Sequence, residues 1–232
     1  MTALNAKIAT DDGEMGAYVA QPSETPSGAV VLLQEIFGVN AAMRAAADDL
    51  ATDGFLVVAP DLFWRQEPGV DLGYSDEERG RGFQLMQGLD FQKAIGDCIA
   101  AMNFARDHEA SNGKVAYLGF CLGGKLSVLA ASNSAADACV SFYGVKLEDN
   151  HEQLKNLSCP FQMHVGTQDE HVPIDVAEGI EALLANEDEK SVFLYEGAQH
   201  GFFNKRRDDV FDARAYETAN RRVSEFLGQN LK

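Results

Sequence analysis

Six short apolar runs, 28–34, 55–59, 114–120, 138–143, 161–166 and 191–196, are separated by longer stretches with helical spacing. Runs this short and this apolar suit strands buried on both faces. Their alternation with helices along a whole chain suits βαβ units around a mostly parallel sheet. Helices are expected over 40–53, alanine-rich and stopped by Gly54, and over 91–109, where Ile95, Cys98, Ile99, Met102 and Phe104 lie mostly on one face. Further helices are expected over 123–132, about 173–186 and about 209–230. A loop rich in Gly, Pro and charge follows Pro60 to about Gly73 and leads into a long helical region. No repeat, low-complexity tract or linker interrupts the pattern. The expectation is one α/β domain over 1–232, an open and mostly parallel sheet with helices on both faces. A dinucleotide-binding fold of the same class is the rival, but no GxGxxG stands at a strand-to-helix junction near the start.

Charge excludes several partners. Nineteen Lys and Arg against 36 Asp and Glu give a net charge of −17, a field that repels nucleic acid and anionic lipid alike. A small anionic ligand would need local arginines. The N-terminal residues carry no apolar core after a basic start, and no run approaches the length of a membrane helix, so the expected location is cytoplasmic. Cys98, Cys121, Cys139 and Cys159 are too few for a disulfide framework and form no CxxC pair, so neither a metal nor a cofactor is expected. Three of them sit in apolar settings, as small buried hydrophobes do.

Cys121 differs. Gly119-Phe120-Cys121-Leu122-Gly123-Gly124 reads as glycine, nucleophile, glycine between a strand and a helix, the context of a nucleophile elbow. The helix that follows aims its free N–H groups and positive dipole end at the sulfur, favouring a thiolate and later an oxyanion, which the Leu122 N–H would hold. A thiol in this role needs a base, and the base an orienting carboxylate. Asp169 lies in GTQDEHVP after one strand, with Glu170 as its competitor, and His200 lies in AQHGFF after the last strand. His171 competes with His200, but its choice would put acid and base on one loop and leave the last strand's loop without a role. His108 and His151 read as solvated, and His164, inside a strand, as structural. The order Cys121, Asp169, His200 is that of α/β-hydrolases.

With these residues in place the chain resembles the dienelactone hydrolase (carboxymethylenebutenolidase) family of α/β-hydrolases over essentially its whole length. The likeness is carried by QEIFGVN (34–40), PDLF (60–63), SNGKV and GFCLGG (111–124), FYGV (142–145), GTQDEHVP (166–173) and AQHGF (198–202). The resemblance implies that Glu35 is the acidic residue contacting the thiol at rest. Substrate would displace the thiol, the carboxylate would take its proton, and the thiolate would pair with imidazolium. It further implies a second oxyanion donor at Ile36 N–H and a substrate pocket using Arg79, with Arg81, Phe83 and Phe37 as neighbouring candidates. Read from the residues alone, Glu35 could instead face solvent or pair with Arg44, and Arg79 and Arg81 could pair with Glu77 and Glu78.

The chain departs from the family pattern at three places: Phe83 replaces a tyrosine, Gly201 a serine, and Asn204 the second carboxylate-binding arginine, with Lys205 and Arg206 just beyond. The expected activity is hydrolysis of a lactone or activated ester through an acyl-thioester. The expected partner is that small molecule, with no nucleic acid or membrane, and the expected state is a monomer. Two alternatives stand beside it: a carboxylesterase acting on a different ester, and a non-catalytic protein that keeps a reactive thiol.

Overall fold

Every residue of the third strand is buried, and its side chains alternate between two cores. The computed structural model describes residues 4–187 and 189–232. The strands are β1 (Ala6–Thr10), β2 (Gly13–Ala20), β3 (Ser27–Leu33), β4 (Leu56–Pro60), β5 (Ser111–Phe120), β6 (Ala138–Phe142), β7 (Phe161–Gly166) and β8 (Lys190–Tyr195). They form one sheet in the order β1-β2-β4-β3-β5-β6-β7-β8. From β4 to β8 all pairings are parallel, as the apolar runs predicted, while β1 and β2 are antiparallel additions at one edge.

Ala29, Val31 and Leu33 of β3 point into the core beneath α3 (Phe91–Asp107), α4 (Leu122–Ala131) and α6 (Ile174–Leu184). Val30 and Leu32 point to the opposite face, which α1 (Ala41–Thr52) and α7 (Ala213–Leu231) cover. This two-sided burial is why the strand is apolar throughout instead of alternating. Cutting Leu32 or Leu33 to alanine would cost about 2–5 kcal/mol through the cavity left behind. The arrangement is the α/β-hydrolase fold.

The sequence pattern differs from the structure at the chain's ends. The β1–β2 hairpin was not expected, because its residues are rich in Ala, Gly, Lys and Glu instead of β-branched types. Only Ile8, Met15, Ala17 and Ala20 are buried there, and Thr10 pairs with Gly13 across a two-residue turn. The last helix begins at Ala213, where the Asp212 side chain accepts from Ala215 N at 2.9 Å, so 209–212 belong to the preceding loop. The helical region after Gly73 divides at Gly88 into α2 (Asp76–Gln87), started by a Ser75–Glu78 capping box, and α3. A five-residue helix, α5 (His151–Lys155), lies before β7.

Topology alone says where a site can form. β3 feeds β4 on one side, while β5, reached later, lies on its other side. Loops leaving adjacent strands in opposite directions open a crevice at the carboxyl ends. Glu35 follows β3, Cys121 follows β5, and the loops after β6, β7 and β8 carry Tyr143, Asp169 and His200 to the same edge. Among the described residues no helix is long and apolar enough to cross a membrane.

Candidate active site

Cys121 links β5 to α4 with φ 54° and ψ −112°, a backbone conformation that side-chain-bearing residues rarely adopt. The turn survives because its neighbours lack side chains. A Cβ on Gly119 would collide with the Gly123 carbonyl, and one on Gly123 with the Leu33 and Gln34 carbonyls. Hydrogen bonds then pin it: Cys121 N–H donates to Phe142 O (3.0 Å), Gly123 N–H to Gln34 O (3.0 Å), and Lys125 N–H to Cys121 O (3.1 Å). Leu122 is the first residue of α4, so its N–H has no partner within the helix and stands beside the sulfur. Cys121 is partly exposed, whereas Cys98, Cys139 and Cys159 are buried, and in each burial pushes the thiol up.

Asp169 and His200 meet as an acid–base pair. The Asp169 carboxylate is 2.8 and 3.0 Å from His200 Nδ1 and accepts the backbone N–H groups of His171 (2.8 Å) and Val172 (2.9 Å). The turn after β7 therefore orients the acid, while Glu170 is exposed. His171 contributes its backbone to the same turn and lays its ring against His200 at 4.7 Å, without a hydrogen bond to the carboxylate. With Nδ1 committed, His200 Nε2 is buried without a hydrogen-bond partner, and the Cys121 sulfur lies near enough to act on the ring. Burial alone would push this imidazole down. The Cys121 sulfur and the Asp169 carboxylate outweigh it and raise His200 to about 10.

Glu35 is buried at the end of β3, and its surroundings depart from the sequence reading. Arg44 pairs with Asp71 instead (3.0 Å). Asn204 Nδ2 donates to Glu35 Oε2 at 3.2 Å and to Tyr74 Oη at 2.8 Å, so the carboxyl is held by an amide and no hydrogen bond joins it to the thiol. The residue at 204 is a neutral amide, which can donate to the carboxyl without adding charge. Burial pushes the Glu35 carboxyl up, against the weaker opposing pull of His200, Arg207 and Asn204. Tyr143, with φ 39° and a fully buried ring, packs on His200 at 4.7 Å.

Comparison with known proteins shows the family. Residues 15–231 match the model of the dienelactone hydrolase family. The chain belongs to the dienelactone hydrolase family. It is 37% identical to a carboxymethylenebutenolidase of Pseudomonas putida over 94% of this chain and 92% of that one. Carboxymethylenebutenolidase 1 of Cupriavidus pinatubonensis is 33% identical over 93% and 92%. A crystal structure from Klebsiella pneumoniae assigned to dienelactone hydrolase superposes with a TM-score of 0.85 at 24% identity, covering 97% of each chain, which speaks for the fold. Family membership makes the chain a hydrolase of the carboxylic-ester class.

The pocket candidates separate in the dienelactone hydrolase framework. Helix α2 packs closely on the β3 loop, because Gly82 leaves room for the Ile36 carbonyl. One turn back, Arg79 has a buried Nε without a hydrogen-bond partner, and its charge reaches both His171 and Asp209. It makes no ion pair with Glu77 or Glu78; Glu78 is used by the capping box. Arg81 faces away, bonding Glu67 (2.5 Å) and Gln84 (3.3 Å) on the surface. Phe83, one turn beyond Arg79, is 39% exposed, and Phe37 is buried edge-on against Tyr74 at 4.8 Å. Sequence reasoning missed Arg207. This nearly buried guanidinium lies 5.5 Å over the Tyr74 ring, pairs with Asp209 (2.6 Å), and would approach a Cβ on residue 201 to 3.1 Å. Gly201, which has no side chain, gives it room.

Proposed function

We propose that the protein opens a lactone, or hydrolyses a related activated ester, by covalent catalysis at Cys121. The observation that carries this reading is the unpartnered His200 Nε2 at a strained cysteine elbow, with Nδ1 held by Asp169. The Cys121 sulfur and the Asp169 carboxylate raise His200 to about 10, so the imidazole is placed to take and hold the proton that a thiol gives up on attack. Glu35, whose carboxyl burial pushes up, opposes a thiolate less than a solvated carboxylate would and is placed to accept or return a proton.

The thiolate attacks the carbonyl carbon, forming a C–S bond and moving the carbonyl pair onto oxygen. The N–H groups of Leu122 and Ile36 receive that oxyanion, where one such donor is worth about 3–4 kcal/mol. Collapse breaks the ring C–O bond, and the leaving oxygen takes the proton from His200. Water then attacks the thioester, His200 takes its proton, and the C–S bond breaks to give the acid and restore the thiolate. An enol or aryl oxygen leaves readily from such an intermediate, while an amide nitrogen does not.

For substrate, the unpartnered Arg79 Nε and the nearby Arg207 supply positive charge to a protein of net charge −17, and so favour a lactone that bears a carboxylate. The curated relatives are carboxymethylenebutenolidases, which fits. Loss of the second family arginine at Asn204 favours a second reading, an uncharged ester. Turnover of a carboxylated dienelactone and of neutral aryl esters, each with Arg79→Gln, separates the two. The first reading expects KM for the lactone to rise at least tenfold with aryl esters unaffected, whereas equal KM values would support the second. Mass spectrometry of His200→Ala after substrate addition should find the acyl group on the Cys121 peptide. An unmodified peptide together with full hydrolysis by Cys121→Ala would overturn the mechanism.

A further inference from the structure

The sheet face covered by α1 and α7 is not filled. Between the two helices lies a cavity of about 340 Å³, floored by Leu118 and Phe120 of β5 and roofed by Phe203. Its origin is in the sequence. On the α1 side Ala42, Ala45 and Ala46 leave room beside Met43 and Leu50, and Tyr216, Asn220 and Val223 line the α7 side. At the inner end are Glu35, Asn204 and Tyr143; at the mouth, Lys205 bonds Asp49 at 2.5 Å and lies 5.2 Å over the Tyr216 ring. Neither Cys121 nor His200 lines this space. Tyr143, packed on His200 on its other side, separates the two compartments.

We propose that this cavity is a second binding site, for a neutral monocyclic aryl alcohol whose ring lies between α1 and α7 and whose hydroxyl meets Glu35 and Asn204. The volume stands at the low end of ligand sites, about 300–1,000 Å³, and suits one ring with a short substituent. Phe120, Tyr143, Phe203 and Tyr216 offer faces and edges to a ring, and the alanines of α1 let it approach the helix. The polar groups gather at one end, where a hydroxyl can both donate and accept. Charge argues against an anion. The inner end carries a carboxyl, and at the mouth Asp49 and Asp53 balance Lys205 and Arg206, with Lys205 already bonded to Asp49. The site shares Glu35 and Tyr143 with the surroundings of the cleft, but neither Cys121 nor His200 lines it, so it goes beyond the hydrolytic reading.

The test is calorimetric titration of p-cresol into the full chain after Cys121 has been blocked with iodoacetamide, which fills the cleft and leaves the rear cavity open. The expected result is saturable one-to-one binding, weakened at least about tenfold by Ala46→Trp on one wall and by Asn220→Phe on the other, equivalent to about 1.4 kcal/mol. Both positions are partly exposed, and unblocked variants that retain ester turnover are folded. Benzoate, of similar size but anionic, should give no saturable heat. No binding of p-cresol, its loss on blocking Cys121, equal binding of benzoate, or an affinity untouched by both fillings would each overturn the proposal.

Discussion

Two imidazoles, His164 fully buried and His200 partly so, lie toward the carboxyl end of this sheet, and the protein drives them in opposite directions. His164, inside β7, is stacked on Phe142 at 4.6 Å, and burial, reinforced by the Arg222 charge, pushes it down to about 3. His200, on the loop after β8, is raised to about 10 although burial opposes this. The partners decide. His164 has only neutral hydrogen-bonding neighbours, Tyr195 Oη at 2.7 Å and Gln162 Oε1 at 3.2 Å, with a cation beyond. His200 faces a carboxylate on one nitrogen and a sulfur on the other side. Burial amplifies whatever charge is nearby, so a loop that delivers a carboxylate raises an imidazole where a strand interior leaves one neutral.

The largest expected effect breaks that contrast at the site. On the proposed mechanism His200→Ala lowers kcat for an activated ester by about 10⁴–10⁶, since members of a catalytic unit fail together. His164→Phe, which keeps the aromatic stack, should leave kcat within about threefold, because surface and packing changes away from the chemistry act on stability. Steady-state assays of both variants check this, and a large kcat loss in His164→Phe would erase the distinction.

The next effect is a separation of titrations. In the folded protein the ring protons of His200 should report imidazolium through neutral pH and titrate near 10, while His164 stays neutral to about 3. Asp169→Asn should shift His200 downward and, by removing the orienting acceptor, lower kcat by about 10⁴. NMR titration of imidazole-labelled protein measures both, and a His200 unmoved by Asp169→Asn would make the thiol its only effective partner.

How far these contrasts can be read in a sequence depends on distance along the chain. The elbow is local: two glycines two residues either side of Cys121 state a backbone requirement that no other fold element imposes, so it is visible in six residues. The placement of Asp169 and His200 follows from strand ends and needs only correct strand limits. The Glu35 environment is not local, since Asn204, 169 residues away, holds it. Nothing in the spacing says which of Asn204, Lys205, Arg206 and Arg207 turns inward. A run of three cations before two aspartates reads as solvated, and only packing on Tyr74 singles out Arg207. The β1–β2 hairpin is hidden for the reverse reason, since an edge that buries few side chains needs little apolar sequence.

The pH dependence of stability puts the two imidazoles in separate windows. For His164 the folded value of about 3 lies below the ordinary 6.5. The unfolded chain therefore takes up a proton first, and the stability present above 6.5 is lost as pH falls toward 3, by about 2 kcal/mol at pH 5. His200 acts with the opposite sign: its folded value exceeds the ordinary one, so its contribution is complete below 6.5 and is lost as pH rises toward 10. Urea unfolding of wild type and His164→Phe should therefore diverge only on the acid side. Parallel curves from pH 7 to 5 would mean that His164 is not held neutral.

The smallest effect tests whether the two rings are mechanically joined. Arg222 donates to Tyr195 Oη (3.2 Å), which leaves the tyrosine proton to His164 Nδ1 and the Nε2 proton to Gln162. Tyr195→Phe removes the donor and strands a buried ring nitrogen, at a cost of about 1–3 kcal/mol in urea unfolding. The same ring lies 4.9 Å from Phe202, which touches Tyr143 at 5.7 Å, and Tyr143 touches His200 at 4.7 Å. That is a chain of contacts between rings, with no proton path and no charge in it. Tyr195→Phe should therefore lower stability while leaving kcat, KM and the His200 titration where they are. A drop in kcat at constant KM would show that the packing around the neutral imidazole sets the position of the charged one.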